Sequence, residues 1–123
     1  MRVLLVDDEK EFVATLAERL SYRGIEADFA LGGDDALRMV GGVNYDLAVL
    51  DMKMPGISGL QLKKRLAEIC PTLKFIFLTG HGSEEDYRAG SRESVYYLVK
   101  PISIDTLVGK MHEAIQKEGT THG

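Results

Sequence analysis

Apolar positions along this chain follow two rhythms. Four short unbroken runs stand out, Val3-Leu4-Leu5-Val6, Leu47-Ala48-Val49-Leu50, Phe75-Ile76-Phe77-Leu78 and the stretch 95–99. Runs this short, bounded by turn residues and apolar at every position, predict strands buried on both faces, as in a parallel sheet. Between the first two, Val13, Leu16, Ala17 and Leu20 repeat at i, i+3, i+4 and i+7, the stripe of an amphipathic helix, and Gly24 lies beyond its end. Residues 25–30 predict a second strand, less apolar and therefore at an edge. Asp34 or Asp35 can cap a helix carrying Ala36, Leu37 and Val40, which Gly41-Gly42 stops. After a loop over 52–58, Ser58 is placed to cap a helix marked by Leu62, Leu66 and Ile69 that ends before Pro71. Ile104, Leu107, Val108, Met111 and Ile115 mark a last helix, opened by Ser103 or Asp105. The stretch 83–92 predicts a helix with almost no apolar stripe, the element least anchored by burial. Five repeats of strand then helix predict an α/β fold: a doubly wound, five-stranded parallel sheet with helices on both faces.

Composition narrows the class. The chain has 123 residues, 45% hydrophobic and 28% charged, which suits one globular domain. We expect that domain over 1–118, with 119–123 a frayed tail or the start of a linker. No apolar run approaches the roughly 20 residues of a membrane helix, so no membrane partner is expected. The amino terminus enters a strand at once and Cys70 is the single cysteine, a pattern expected of a cytoplasmic protein. A net charge of -4 with no basic stripe argues against direct contact with nucleic acid.

Candidate chemistry lies where the apolar runs stop. The first runs into Asp7-Asp8-Glu9, the second into Asp51, the third into Thr79-Gly80 and the last into Lys100-Pro101. In an open parallel sheet these strand ends share one crevice. Carboxylates about 4 Å apart repel by roughly 4 kcal/mol per pair at an effective dielectric near 20, so three of them call for a proton or a cation. Hard oxygen ligands in a small site suit Mg2+, with Mn2+ as the alternative. Blander local readings stand beside these. Asp8-Glu9-Lys10-Glu11 fits a capping box, Asp51 precedes a turn with Pro55 and Gly56, Thr79 can bond its own turn, and Lys100 can be a solvated surface lysine.

Four pieces taken together go further: Val6-Asp7-Asp8-Glu9, Leu50-Asp51-Met52-Lys53-Met54-Pro55-Gly56, Leu78-Thr79-Gly80-His81-Gly82 and Tyr97-Leu98-Val99-Lys100-Pro101. In this order and spacing the chain resembles the receiver domain of bacterial response regulators, of the chemotaxis-regulator type. The resemblance implies a flavodoxin-like strand order 2-1-3-4-5, with Asp51 as phosphoacceptor for a phosphohistidine of a sensor histidine kinase or phosphotransfer protein. It implies Mg2+ held by Asp7, Asp8, Asp51 and the Lys53 carbonyl, and catalytic help from Lys100, which pairs with Asp51 before reaction, and from Thr79. Thr79 and Tyr97 become the switch, and Lys53 and His81 border the phosphoryl group and tune its lifetime. The Lys100-Pro101 bond is expected to be cis. The output domain or target protein would meet the face made by residues 83–92, the fifth strand and the last helix, and a phosphorylation-dependent homodimer is a further expected partner state. The chain departs from the family where Glu93-Ser94-Val95 replaces a small pair. An alternative is a phosphohydrolase of the haloacid-dehalogenase type, but that chemistry wants an acid two residues after the nucleophile, where Lys53 stands. A receiver-like interaction domain that is never phosphorylated is a third reading, against which the acidic pair argues.

Overall fold

The computed structural model describes residues 1–80 and 96–120, with side chains as far as residue 116. Within them the chain runs β1 (Arg2–Val6), α1 (Lys10–Ser21), β2 (Glu26–Ala30), α2 (Gly33–Gly42), β3 (Leu47–Leu50), α3 (Gly59–Ile69), β4 (Lys74–Thr79), β5 (Tyr96–Val99) and α4 (Ile104–Thr120). The expected helix over 83–92, the 93–95 departure and His81 lie outside the described residues.

All five strands are parallel, in the order β2-β1-β3-β4-β5. The fold class and strand order expected above are therefore those of the molecule. Alternate side chains along each central strand enter opposite layers, as the pleat requires. Leu4, Val6, Ala48, Leu50, Phe75 and Phe77 face α2 and α3, packing with Ala36, Val40, Leu62 and Leu66. Val3, Leu5, Leu47, Val49, Ile76 and Leu78 face α1 and α4, packing with Val13, Leu20, Leu107 and Met111. Burying one such Leu or Phe stabilises the fold by about 1.5–3 kcal/mol before ordering costs. Two full layers of these side chains fix the sheet, so its strand ends present a rigid floor.

Several helix ends differ from expectation. Ser58 caps α3 as expected, in a reciprocal box with Gln61 that the sequence reading did not include, and of the two residues offered for the start of α4 it is Ser103 whose hydroxyl accepts from the Thr106 N–H at 3.1 Å. At α1, however, the cap residue is Glu9 and no side chain caps it; Asp7 is engaged by Lys100 and by the Glu9 N–H. At α2 the cap is Gly32, and Asp34 and Asp35 sit in the first turn, where their charge favours the positive helix end. Ile69, expected on the buried stripe, is the last residue of α3 and is 48% exposed. α4 continues through Thr120, two residues into the stretch expected to fray.

Candidate functional site at the carboxyl end of the sheet

The parallel ladder continues one residue past the assigned strands and seats each key residue. Val6 pairs with Leu50, and beyond them the Asp51 N–H donates to the Val6 carbonyl at 3.0 Å while the Asp7 N–H donates to Ala30 at 3.2 Å. Likewise Val99 pairs with Thr79, and the Lys100 N–H donates to the Thr79 carbonyl at 2.8 Å. Main-chain pairing thus carries Asp7, Asp51, Thr79 and Lys100 to one rim. Carboxylate oxygens of Asp7, Asp8 and Asp51 all lie within 4.8 Å of one another. Asp7 and Asp51 are buried, Asp8 is exposed, and Thr79 is buried. An open depression of about 240 Å³ lies over them, lined by Asp8, Glu9, Asp51, Lys53, Thr79 and Gly80. A buried carboxylate pair with an exposed third oxygen donor and an open mouth is a donor set that fits a hard divalent cation still carrying waters.

The loop after Asp51 is fixed from two sides. The Lys53 N–H donates to Asp51 Oδ1 at 3.3 Å, and the Gly59 N–H donates to the Met52 carbonyl at 3.0 Å. A Cβ on Gly59 would sit 2.5 Å from the Asp51 carbonyl oxygen and 3.0 Å from Met52 Cα, so only glycine lets α3 start this close to the strand end.

Electrostatics here are unbalanced. Burial, followed by the negative charge of Asp7, pushes the Asp51 carboxyl above its ordinary pKa; the Lys53 N–H, Lys100 and the Thr79 hydroxyl bond pull the other way without winning. For Lys100, burial disfavours the charged ammonium, but hydrogen bonds to Asp7 and Glu9 outweigh it and raise its pKa. Those bonds are short, 2.7 Å to Asp7 Oδ2 and 2.8 Å to Glu9 Oε1. Lys100 thus pairs with Asp7 and Glu9, and the direct pairing with Asp51 expected from the sequence is not formed. Asp51 carries the Lys53 N–H and Thr79 bonds instead.

The response regulator receiver domain model matches residues 3–112. The chain belongs to the response regulator receiver family. Its curated relatives include the transcriptional regulatory protein GlrR of Escherichia coli, 31% identical over 94% of this chain but 26% of that protein. Another is the positive alginate biosynthesis regulatory protein of Pseudomonas aeruginosa, 37% identical over 93% of this chain and 47% of its own length. The receiver thus spans between a quarter and a half of these relatives. Among solved structures, a CheY-like receiver domain protein from Methanospirillum hungatei superposes with a TM-score of 0.87 at 25% identity, covering 97% of this chain and 96% of that one. A response regulator from Burkholderia pseudomallei, solved with a phosphorylated aspartic acid, calcium ion and citrate, gives 0.82 at 27% identity, over 97% of this chain and 68% of that one.

In this receiver the Lys100-Pro101 peptide bond is cis, as the resemblance implied. Tyr97 is half-buried against the α2–α3 layer with its hydroxyl oxygen inside the surface, whereas Tyr96 packs into the α1–α4 layer. Two residues at the rim escaped the sequence reading of the site. Glu9 had been counted only as part of a capping box, although it directly follows the acidic pair. Gly59 directly follows the cap Ser58, and nothing local marks it as touching Asp51.

Proposed function

We propose that Asp51 accepts a phosphoryl group from a phosphohistidine of a sensor histidine kinase or phosphotransfer protein. The observation carrying this reading is the convergence of the Asp7, Asp8 and Asp51 oxygens beneath one open mouth beside Thr79 and Lys100. An Asp51 oxygen attacks the phosphorus as the P–N bond breaks, and the histidine nitrogen keeps the electron pair of that bond. Asp7, Asp8, Asp51 and the Lys53 carbonyl would hold Mg2+, or Mn2+, which offsets negative charge on the transferring oxygens. Lys100 and the Thr79 hydroxyl then serve the two remaining sides of the phosphoryl group. The product carries close to two negative charges where the Asp51 carboxylate carried one. Thr79 moves toward them and Tyr97 repacks inward, altering the face of β5 and α4 that an output domain, a target protein or a second copy meets, a face to which the resemblance adds the stretch 83–92, outside the described residues. The resemblance gives Lys53, and His81 outside the described residues, a role in setting the phosphoryl lifetime. This is a cytoplasmic signalling role with no steady turnover of substrate, carried by a receiver unit that includes the last helix through Thr120. The Burkholderia relative with a phosphorylated aspartic acid and a calcium ion supports the same assignment by family.

The test is labelling by a small phosphodonor with Mg2+ present. The protein takes up one phosphoryl group, and Asp51→Asn takes up none. Full labelling of Asp51→Asn removes Asp51 as the acceptor, and continuous release of phosphate at many turnovers would return the hydrolase reading.

A further inference from the structure

The phosphotransfer chemistry leaves one rim carboxylate without a role. Glu9 has a side chain 63% exposed to water, yet it turns back to bond Lys100 at 2.8 Å. The Lys100 side chain is only 13% exposed and its ammonium also lies 4.2 Å from the centroid of the Phe12 ring. Glu9 caps α1 and Phe12 follows three residues later, so one helical turn presents a carboxylate and an aromatic face to the same cation. The Glu9 N–H meanwhile donates to Asp7 Oδ1 at 2.9 Å, so main chain and side chain of Glu9 together clasp the Asp7–Lys100 pair from both ends. A carboxylate cluster nearby repels the Glu9 side chain, and its short bond to the Lys100 ammonium offsets that repulsion.

We propose that Glu9 and Phe12 are positioning residues that hold the Lys100 ammonium on the α1 side of the crevice, away from Asp51, until the phosphoryl group draws it across. This rests on Asp51 being the phosphoacceptor. A Glu9 carboxylate with a single charge and a phosphoryl group with close to two then compete for the ammonium that Asp7 also bonds. Weakening the holder frees Lys100 to meet the phosphoryl group sooner and stay with it longer. Glu9 thereby sets how readily the receiver loads and how long it stays loaded, without touching the reacting atoms.

Glu9→Gln tests this against Glu11→Gln, which removes the same charge from an exposed first-turn position of the same helix. With the small phosphodonor and saturating Mg2+, Glu9→Gln raises the maximal loading rate and the phosphoryl lifetime by roughly twofold to fivefold, the worth of an ion pair with one exposed partner. Glu11→Gln changes at most the donor concentration giving half the maximal rate. In metal-free protein, the NMR signal of the Lys100 ε-carbon shifts in Glu9→Gln and again in Phe12→Leu, and stays put in Glu11→Gln. Equal behaviour of the two glutamine variants in rate, lifetime and NMR overturns the inference and leaves the phosphoacceptor reading standing. Failure of the wild-type protein to label overturns both.

Discussion

Charged side chains meet at two ends of this sheet, and the two ends handle them differently. Toward the amino end, the Arg2 N–H donates to Asp46 at 2.8 Å, its guanidinium reaches Asp28 at 3.3 Å, and the Tyr45 hydroxyl donates to the same Asp28 oxygen at 2.7 Å. Arg2 and Asp28 are 44% and 39% exposed, so water completes their shells. At the carboxyl end Asp7 and Asp51 keep only 4% and 7% of their surface. The nearest ammonium bonds one of them and is shared with a third carboxylate. The first cluster is a tie that the fold uses and nothing further is asked of it. The second keeps an ionised group where burial and a like charge both oppose it, an expense in stability that makes sense where a cation or a phosphoryl group will arrive.

The sharpest way to break the contrast is to disturb the backbone beneath the strained end. Gly59→Ala forces a Cβ against the Asp51 carbonyl, and should cost about 1–3 kcal/mol in denaturant unfolding while slowing labelling, since the strand end that carries Asp51 must shift. Wild-type stability in that variant would mean that the start of α3 yields freely.

Asp51→Asn should do the opposite, stabilising the protein by on the order of 1 kcal/mol at neutral pH. The sign follows from the raised pKa of Asp51. Its ionised form costs stability at pH 7, and that cost is shed as pH falls through the folded-state pKa, before the unfolded chain binds the same proton. The gap between variant and wild type is therefore widest at neutral pH and closes below the ordinary carboxylate range. Thermal unfolding from pH 7 downward reads it directly, and a pH-independent gap would remove the electrostatic explanation.

The smallest effect belongs to the satisfied end. Tyr45→Phe loses one part-buried hydrogen bond, about 0.5–1 kcal/mol, with labelling unchanged. Burial, helped by the bond to Asp28 and its charge, pushes the Tyr45 hydroxyl up to about 12. Its contribution is thus complete below pH 10 and is lost as pH rises toward 12. Ultraviolet titration should show the loss of one late-titrating tyrosine in the variant.

How far the sequence foretold this molecule depends on the range of the interaction concerned. Strands such as Leu47–Leu50 were legible because a run apolar at every position has only a doubly covered sheet to enter. Asp7, Asp51, Thr79 and Lys100 were legible as a group because strand ends converge by topology. The partner of Lys100 was not, since the choice among Asp7, Glu9 and Asp51 depends on the turn between β1 and α1 and on the Phe12 face. Gly59 was hidden for a similar reason: a close approach between backbones leaves no pattern in composition. The caps of α1 and α2 misled because aspartates that suit a cap by type were displaced by one or two positions, where other bonds claimed them or the turn did not need them.

One bond bears on how the protein is made. Lys100 and Asp7 are 93 residues apart along the polymer, joined across the strands that lie between them. A ribosome emitting this domain releases the first aspartates early and the lysine only after all the strands, so no shorter stretch of the domain contains the finished centre. The centre is therefore completed in one step once β5 has been made, and a product truncated before Lys100 carries the acidic side chains without their ammonium.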